Sequence, residues 1–115
     1  MIAIAVGASF ALTSCGGPNS PAGDVRITSC TQVGGEPEAG YRLHNSTAGT
    51  QYYDAEIVFS DAGGLLGGAN VIFANLSPGQ SVTGKATSED IPAGSVTGRL
   101  DCRVGTVLRN PVTQP

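Results

Sequence analysis

The strongest constraint on the fold is a two-residue alternation of apolar and polar residues within residues 52–60. The apolar positions are Tyr53, Ala55, Ile57 and Phe59. The polar residues Asp54, Glu56 and Ser60 have the opposite parity and face the other way. Because successive side chains of a β-strand point to opposite faces, this spacing predicts a strand with one buried face and one solvated face.

Shorter stretches on both sides of this segment also have the character of strands. Val25 and Ile27 share one face of a predicted first strand, and Tyr41 and Leu43 are expected to point inward from the next. Further strands are predicted at residues 65–76, 81–87 and 95–108, with a bend or bulge at Gly67-Gly68 and a bulge near Gly105. Turns are predicted at Gly34-Gly35-Glu36-Pro37, at Asp61-Ala62-Gly63-Gly64 and at Ser77-Pro78-Gly79-Gln80.

Six or seven short strands without a helical period predict an all-β chain, specifically an immunoglobulin-like antiparallel β-sandwich over residues 24–109. Residues 110–115 are expected to form a disordered tail. The net charge is −3 and no basic run is visible, which argues against a nucleic-acid partner. The chain has no Trp and 5% aromatic residues, so a stacking platform for sugars or bases is not expected.

The first twelve residues form a short apolar run rather than a membrane span. A spanning helix needs about 20 apolar residues, whereas residues 2–12 provide only 11. The run fits the apolar core of a secretory signal peptide covering residues 1–14. Met1 is followed directly by Ile2 without the usual Lys or Arg, so we expect translation to start further upstream.

The end of this run, Leu12-Thr13-Ser14-Cys15, resembles the lipobox of bacterial lipoproteins. The resemblance implies that Cys15 carries a diacylglyceryl group, that the chain is cut before it, and that the protein is anchored on the extracytoplasmic face of the cell membrane. Two acyl chains suffice for stable anchoring. The residues that follow, 16–23, are rich in Gly and Pro. Together with Cys15 they are expected to form a flexible tether over residues 15–23. The alternative is an ordinary cysteine in a buried helix.

The two remaining cysteines, Cys30 and Cys102, lie in the first and last predicted strands. An exported domain meets an oxidising environment, so we expect a disulfide between them. The enclosed loop of 72 positions gives an upper bound of about 4 kcal/mol for its stabilisation. A metal or catalytic role is the alternative, but two cysteines without further ligands nearby are poor metal chemistry.

Three segments taken in order resemble the FxLYD domain of small bacterial envelope proteins. They are Leu43-His44-Asn45-Ser46, the strand and turn from Tyr53 to Gly64, and Ala74-Asn75-Leu76-Ser77-Pro78-Gly79-Gln80-Ser81. Phe59-Ser60-Asp61 stands where the family has Leu-Tyr-Asp, so the tyrosine is missing. The resemblance covers about half of the mature chain and implies an immunoglobulin-like sandwich without established catalytic residues.

Candidate chemistry centres on His44, the only histidine of the chain. A catalytic arrangement with Ser46 and Asp54 is conceivable, but such triads are recognised by geometry. The simpler interpretation is that His44 lies on the outward-facing side of its strand and is solvated. The pairs Glu36/Glu38 and Asp54/Glu56 are expected to keep a sheet soluble, with calcium binding as the alternative. Asn45 and Asn75 each lie in a glycosylation sequon, a modification that is unusual in bacteria.

The sequence therefore predicts a lipid-anchored bacterial envelope protein without catalytic residues or cofactors. A binding or structural module that holds a protein or cell-wall partner through loops or a sheet edge is the leading hypothesis. A small envelope hydrolase or metal-dependent enzyme that uses His44 and nearby carboxylates is the alternative. An accessory subunit of a transporter or sensor is a third.

Overall fold

The computed structural model describes residues 20–88, 91–92 and 94–112. The predicted signal peptide, Cys15 and the first residues of the predicted tether lie outside the described residues. A short 3-10 helix, Pro21–Asp24, precedes six strands. The strands are β1 (Val25–Val33), β2 (Glu36–His44), β3 (Gln51–Asp61), β4 (Gly64–Leu76), β5 (Ser81–Thr87) and β6 (Asp101–Pro111).

The strands form two antiparallel sheets of three strands each. Sheet 1 has the order β1-β2-β5, and sheet 2 has the order β4-β3-β6. Two hairpins, β1–β2 and β3–β4, form the first two strands of each sheet, and β5 and β6 then complete sheet 1 and sheet 2 respectively. The prediction of an all-β antiparallel chain is confirmed.

The core lies between the inner faces of the two sheets, and β3 supplies its centre. The four apolar side chains of the alternating segment are at most 1% exposed, as the alternation predicts. Tyr53 and Ala55 pack with Val25 and Leu43 of sheet 1 in one cluster. A second cluster joins β3 to sheet 1 at the far end and contains Ala39, Ile57, Phe59, Ala86 and Ile91. Each large apolar side chain buried in this way contributes about 1.5–3 kcal/mol.

The turn between β1 and β2 is shorter than the sequence pattern indicated. Gly34 and Gly35 have φ values of 61° and 82°, which suit a two-residue hairpin turn with both central residues left-handed. Glu36 and Pro37, predicted to lie in the turn, instead begin β2 and pair with Val33 and Gln32. Pro37 is tolerated in the middle strand of sheet 1 because pairing with β5 begins only at the following residue.

The last strand differs most from its prediction. Residues 95–100 are not strand, although the sequence pattern placed them in one, and β6 continues to Pro111 into the predicted tail. Gly98 has a left-handed φ of 74°, which interrupts the extended backbone. Asp61 Oδ2 accepts from the Thr97 N–H at 2.7 Å, so this segment is bonded to the β3–β4 turn instead of a ladder.

The predicted bulge near Gly105 is confirmed. Ala55 and Ile57 of β3 stand opposite Val107 and Val104 of β6, so β6 contains one more residue than β3 over this interval. A bulge of this kind reverses the facing of later side chains. It explains why Val107 does not share the parity of Cys102 and Val104.

Candidate functional site

The disulfide predicted between Cys30 and Cys102 is present, with a Cα–Cα distance of 5.7 Å. Cys30 belongs to β1 and Cys102 to β6, so the bond joins an edge strand of sheet 1 to an edge strand of sheet 2. The two half-buried cysteines therefore have a structural role, and neither thiol is available for metal binding or catalysis.

The structure does not bring together His44, Ser46 and Asp54, the residues of the hypothetical catalytic arrangement. His44 lies on the outer face of sheet 1, where its Nδ1 is 2.7 Å from Ser81 Oγ. It is half-buried, not fully solvated as expected. Asp54 lies on the outer face of sheet 2, on the other side of the core. Ser46 is exposed and interacts with Asp24.

The outer face of sheet 1 gathers basic side chains that are scattered in the sequence. Arg26 of β1 stands directly opposite Arg42 of β2, and both are exposed. Lys85 of β5 is the third cation, and its Nζ is 3.6 Å from Oε1 of Glu38. Glu36 and Glu38 of β2 are the two carboxylates on this face of the strands, because they share the parity of Arg42. We call this surface the basic face. The sequence shows no basic run at this surface, because the three cations lie in three different strands.

The outer face of sheet 2 has the opposite charge. Asp54, Glu56 and Asp101 share it with a single cation, Arg103. We call this surface the acidic face. A small open depression of about 190 Å³ lies on it, lined by Asp54, Glu56, Asn70, Thr106 and Leu108.

Two of the three carboxylates of the acidic face, Asp54 and Glu56, have hydrogen-bond partners within the sheet. Asn70 donates from Nδ2 to Asp54 Oδ1 at 2.9 Å, and the Thr106 N–H donates to Glu56 Oε1 at 3.4 Å. In the described part of the chain, no three side chains from His, Cys, Asp and Glu come together as a metal-binding group. These contacts give the pair Asp54/Glu56 a role in cross-strand bonding.

A buried ion pair lies where the chain enters β1. Asp24 is 4% exposed, and its Oδ2 accepts from the Tyr53 hydroxyl at 2.5 Å and from Arg109 Nη1 at 2.9 Å. Burial opposes ionisation of Asp24, but hydrogen bonds from Ser46, Tyr53 and Arg109 and the charge of Arg109 outweigh it and lower the pKa of the carboxyl. Burial and the neighbouring carboxylate raise the pKa of the Tyr53 phenol. The sequence pattern gave no signal for this contact, because Asp24 and Arg109 are 85 residues apart.

The loop after β2 is organised around Asn45, which is fully buried. Its Nδ2 donates to the carbonyl oxygens of Gly49 and Leu76, both at 2.8 Å. Its Oδ1 accepts from the N–H of Thr47 at 2.8 Å and from the Thr47 hydroxyl at 2.7 Å. The first sequon asparagine is thus a structural residue in the folded chain, whereas Asn75 of the second sequon is exposed.

One sheet edge has neither charge nor proline to protect it against pairing. Among the described strands, β4 pairs only with β3, and its 13 residues contain no charged residue and no proline. A bulge lies at each end of residues 67–73, and this segment itself follows β3 without a register shift. Ile72 within it is 60% exposed. Long apolar edges of this kind readily accept another strand.

The other three edges all contain protective features. β1 has Arg26 and a bulge between Ile27 and Ser29. β5 has only seven residues and includes Lys85. β6 has three charged residues, a bulge and a terminal Pro111. The sheet edges of this domain are therefore not equivalent, and β4 is the one suited to pairing.

Together these features define an all-β domain of two antiparallel three-stranded sheets joined by a disulfide, with outer faces of opposite net charge and one edge strand that has no charged residue and no proline. Comparison with family models, with curated proteins and with solved structures gives no match for this chain. The described residues include no helix long and apolar enough to cross a membrane.

Proposed function

We propose that the chain is a lipid-anchored protein of the bacterial cell envelope, and that its domain is a non-catalytic binding or structural module. The lipid anchor is supported by the segment Leu12-Thr13-Ser14-Cys15 and by the number of cysteines in the chain. Because Cys30 and Cys102 bond to each other, Cys15 is the one remaining cysteine of the three. A disulfide within the domain also fits an oxidising, extracytoplasmic location.

An immunoglobulin-like sandwich is the finer form of the fold that we propose. The orders β1-β2-β5 and β4-β3-β6 correspond to A-B-E and C′-C-F in the lettering of that fold. Two features differ from antibody domains. The disulfide joins the first strand to the last, whereas the antibody disulfide joins strands B and F. The described strands also include none that corresponds to D or G.

The single observation that carries the binding role is the β4 edge. A partner that adds an extended segment to β4 would satisfy its outward backbone groups and complete sheet 2 on that side. It would also cover Val71 and Phe73, which are only half-buried, whereas the side chains opposite them in β3 are almost fully buried. Such an addition requires an envelope protein with an extended segment.

Photo-crosslinking in intact cells tests this proposal. A photoreactive amino acid replaces Ile72 on the β4 edge in the lipidated protein, and a matched control replaces Thr31 on the β1 edge. We expect a discrete crosslinked species from position 72 and none from position 31. Crosslinks of equal yield from both edges, or none from position 72, would refute binding through β4.

The lipid anchor is tested separately by mass spectrometry of the native protein. The proposal requires a chain that begins at Cys15 and carries the mass of a diacylglyceryl group. A polypeptide that retains residues 1–14 with an unmodified Cys15 would overturn the anchor and leave the β4 experiment interpretable.

A further inference from the structure

We infer that the basic face of sheet 1 rests on an anionic phospholipid surface, so that the domain lies with sheet 1 toward the membrane and sheet 2 away from it. The inference rests on the proposed lipid anchor for its setting. It goes further by assigning a membrane-contacting surface and an orientation to the folded domain.

The first observation is an unfavourable charge arrangement within the basic face. Arg26 and Arg42 are directly opposite each other on adjacent strands, and like charges in this position repel. Thr83 of β5 lies opposite Arg42, and Lys85 follows it two residues later on the same face. The Lys85 side chain is 68% exposed and adds a third positive charge. A surface of anionic phosphates would relieve this repulsion, because each guanidinium can bind a phosphate through two parallel hydrogen bonds.

The second observation is the opposite sign of the acidic face. Three carboxylates and one guanidinium face outward from sheet 2, a sum of −2, whereas three cations and the two carboxylates Glu36 and Glu38 face outward from sheet 1, a sum of +1. A negatively charged membrane would attract one face and repel the other. The orientation of the domain therefore follows from its charge distribution even though the whole chain has a net charge of −3.

The third observation is where the tether joins the domain. The described chain begins at Ser20, and only five residue steps, at most about 18 Å of extended backbone, separate it from Cys15. Arg26, the second residue of β1, lies six residues after Ser20. Arg26, Arg42 and Thr83 are neighbours across the three strands of sheet 1. A short tether holds this end of the basic face near the bilayer at a high effective concentration, so weak contacts suffice to orient the domain.

The hydrogen bonds of Arg42 hold its side chain on this face. Its Nη2 donates to Ser81 Oγ at 3.0 Å, and Ser81 Oγ is also 2.7 Å from His44 Nδ1. The guanidinium retains other N–H groups for phosphate oxygens. Each cation near an anionic bilayer contributes about 1 kcal/mol, which is roughly fivefold in binding.

A single tryptophan can report the orientation, because the chain contains none. Thr83→Trp places it on the basic face opposite Arg42, and Asn110→Trp places it on the outer face of sheet 2 opposite Tyr52. Each lipidated variant is reconstituted in vesicles of phosphatidylcholine with 30% phosphatidylglycerol that contain a headgroup-labelled quencher. We expect strong quenching at position 83 and little at position 110. The difference should disappear at high salt and in vesicles of phosphatidylcholine alone.

Equal quenching at the two positions, or stronger quenching at position 110, would overturn the orientation. Failure of the lipidated protein to remain on phosphatidylcholine vesicles would instead refute the proposed anchor. In that case the unlipidated Cys15→Ser chain still tests the basic face by sedimentation with phosphatidylglycerol vesicles.

In that sedimentation assay, Arg26→Gln with Arg42→Gln should weaken binding by about 25-fold, and Arg103→Gln on the acidic face should change it less than twofold. Equal losses from the two faces would overturn the inference. Binding to a single-stranded oligonucleotide without binding to the vesicles would also overturn it.

Discussion

The hydroxyl of Tyr53 donates a 2.5 Å hydrogen bond to Oδ2 of Asp24, and this bond joins β3 of sheet 2 to the residue that precedes β1 of sheet 1. Arg109 of β6 binds the same oxygen at 2.9 Å. The start of β1 is thus held by two strands of the opposite sheet.

Removing the Tyr53 hydroxyl should destabilise the domain. We expect Tyr53→Phe to lower the free energy of unfolding by about 2 kcal/mol, because it removes a hydrogen bond to a charged group. Tyr52→Phe, on the half-buried opposite side of the same strand, is the control and should change stability by less than about 0.5 kcal/mol. Urea denaturation followed by circular dichroism measures both, and equal effects would show that the bond to Asp24 adds nothing.

The stability of the domain should fall on acidification because of Asp24. Its pKa is lower in the folded state than in the unfolded state. The unfolded chain therefore takes up the proton first, and the contribution of Asp24 is present above about pH 4 and is lost as the pH falls below that value. Urea denaturation from pH 7 to pH 2.5 should show a steeper loss in the native chain than in Asp24→Asn. Parallel pH profiles would contradict this assignment.

The Asp24→Asn substitution should itself be costly at neutral pH. It removes one partner of a buried ion pair, and such a loss costs about 3–5 kcal/mol. The side chain of Arg109 is 15% exposed, so we expect a value near the lower end of that range. Thermal unfolding of the native chain and of the variant at pH 7 gives the comparison, and an unchanged melting temperature would show that the pair is energetically neutral.

Loss of the disulfide should destabilise the folded domain relative to the unfolded chain. Cys30→Ala with Cys102→Ala should lower the free energy of unfolding by up to about 4 kcal/mol, because the 72-residue loop is no longer closed in the unfolded chain. A reducing agent should lower the melting temperature of the native chain and leave that of the double variant unchanged. A response of the double variant to the reductant would point to an effect outside this bond.

Asn45 and Asn75 offer a matched pair for testing the loop after β2. Asn45→Ala should cost about 3 kcal/mol, because it leaves buried carbonyl and N–H groups without their side-chain partner. Asn75→Ala, at an exposed site, should cost less than about 0.5 kcal/mol. Chemical denaturation of the two variants separates these outcomes, and similar values would contradict the role assigned to Asn45.

Cellular phenotypes distinguish the binding module from the alternative hydrolase. Cys15→Ala should release the protein from the membrane fraction and abolish its function, because the anchor is lost. His44→Ala should leave localisation and function unchanged, because the nearest polar side chain to His44 Nδ1 is Ser81 and Asp54 lies on the other face. Loss of function in His44→Ala with normal localisation and folding would favour the enzyme.

Much of the strand pattern could be predicted from local spacing. The alternation around Tyr53 and Phe59, the strand Ser81–Thr87 and the Ser77-Pro78-Gly79-Gln80 turn all match the structure. Gly79 in that turn has φ 75°, a conformation that glycine adopts without strain. These features depend on a residue and its near neighbours, so a linear pattern contains them. The family resemblance and the lipid anchor stay predictions.

The boundaries of β6 could not be predicted in the same way. Residues 95–100 have enough apolar character for a strand, but Asp61 binds the Thr97 N–H and Gly98 turns the chain. Those contacts come from a turn 36 residues earlier. Long-range hydrogen bonds of this kind override local β-propensity. That propensity reflects how well a residue fits a pleated, half-buried surface, and it does not specify which segments pair.

The sequence by itself determined that this chain forms antiparallel strands, where most of them lie, and which two cysteines pair. The tertiary structure alone decided that Arg26, Arg42 and Lys85 share one face, that the uncharged strand β4 lies at a sheet edge, and that Asp24 meets Tyr53 and Arg109. The physical reason is that alternation determines which side of a strand is buried, whereas strand order and register determine which outward side chains become neighbours.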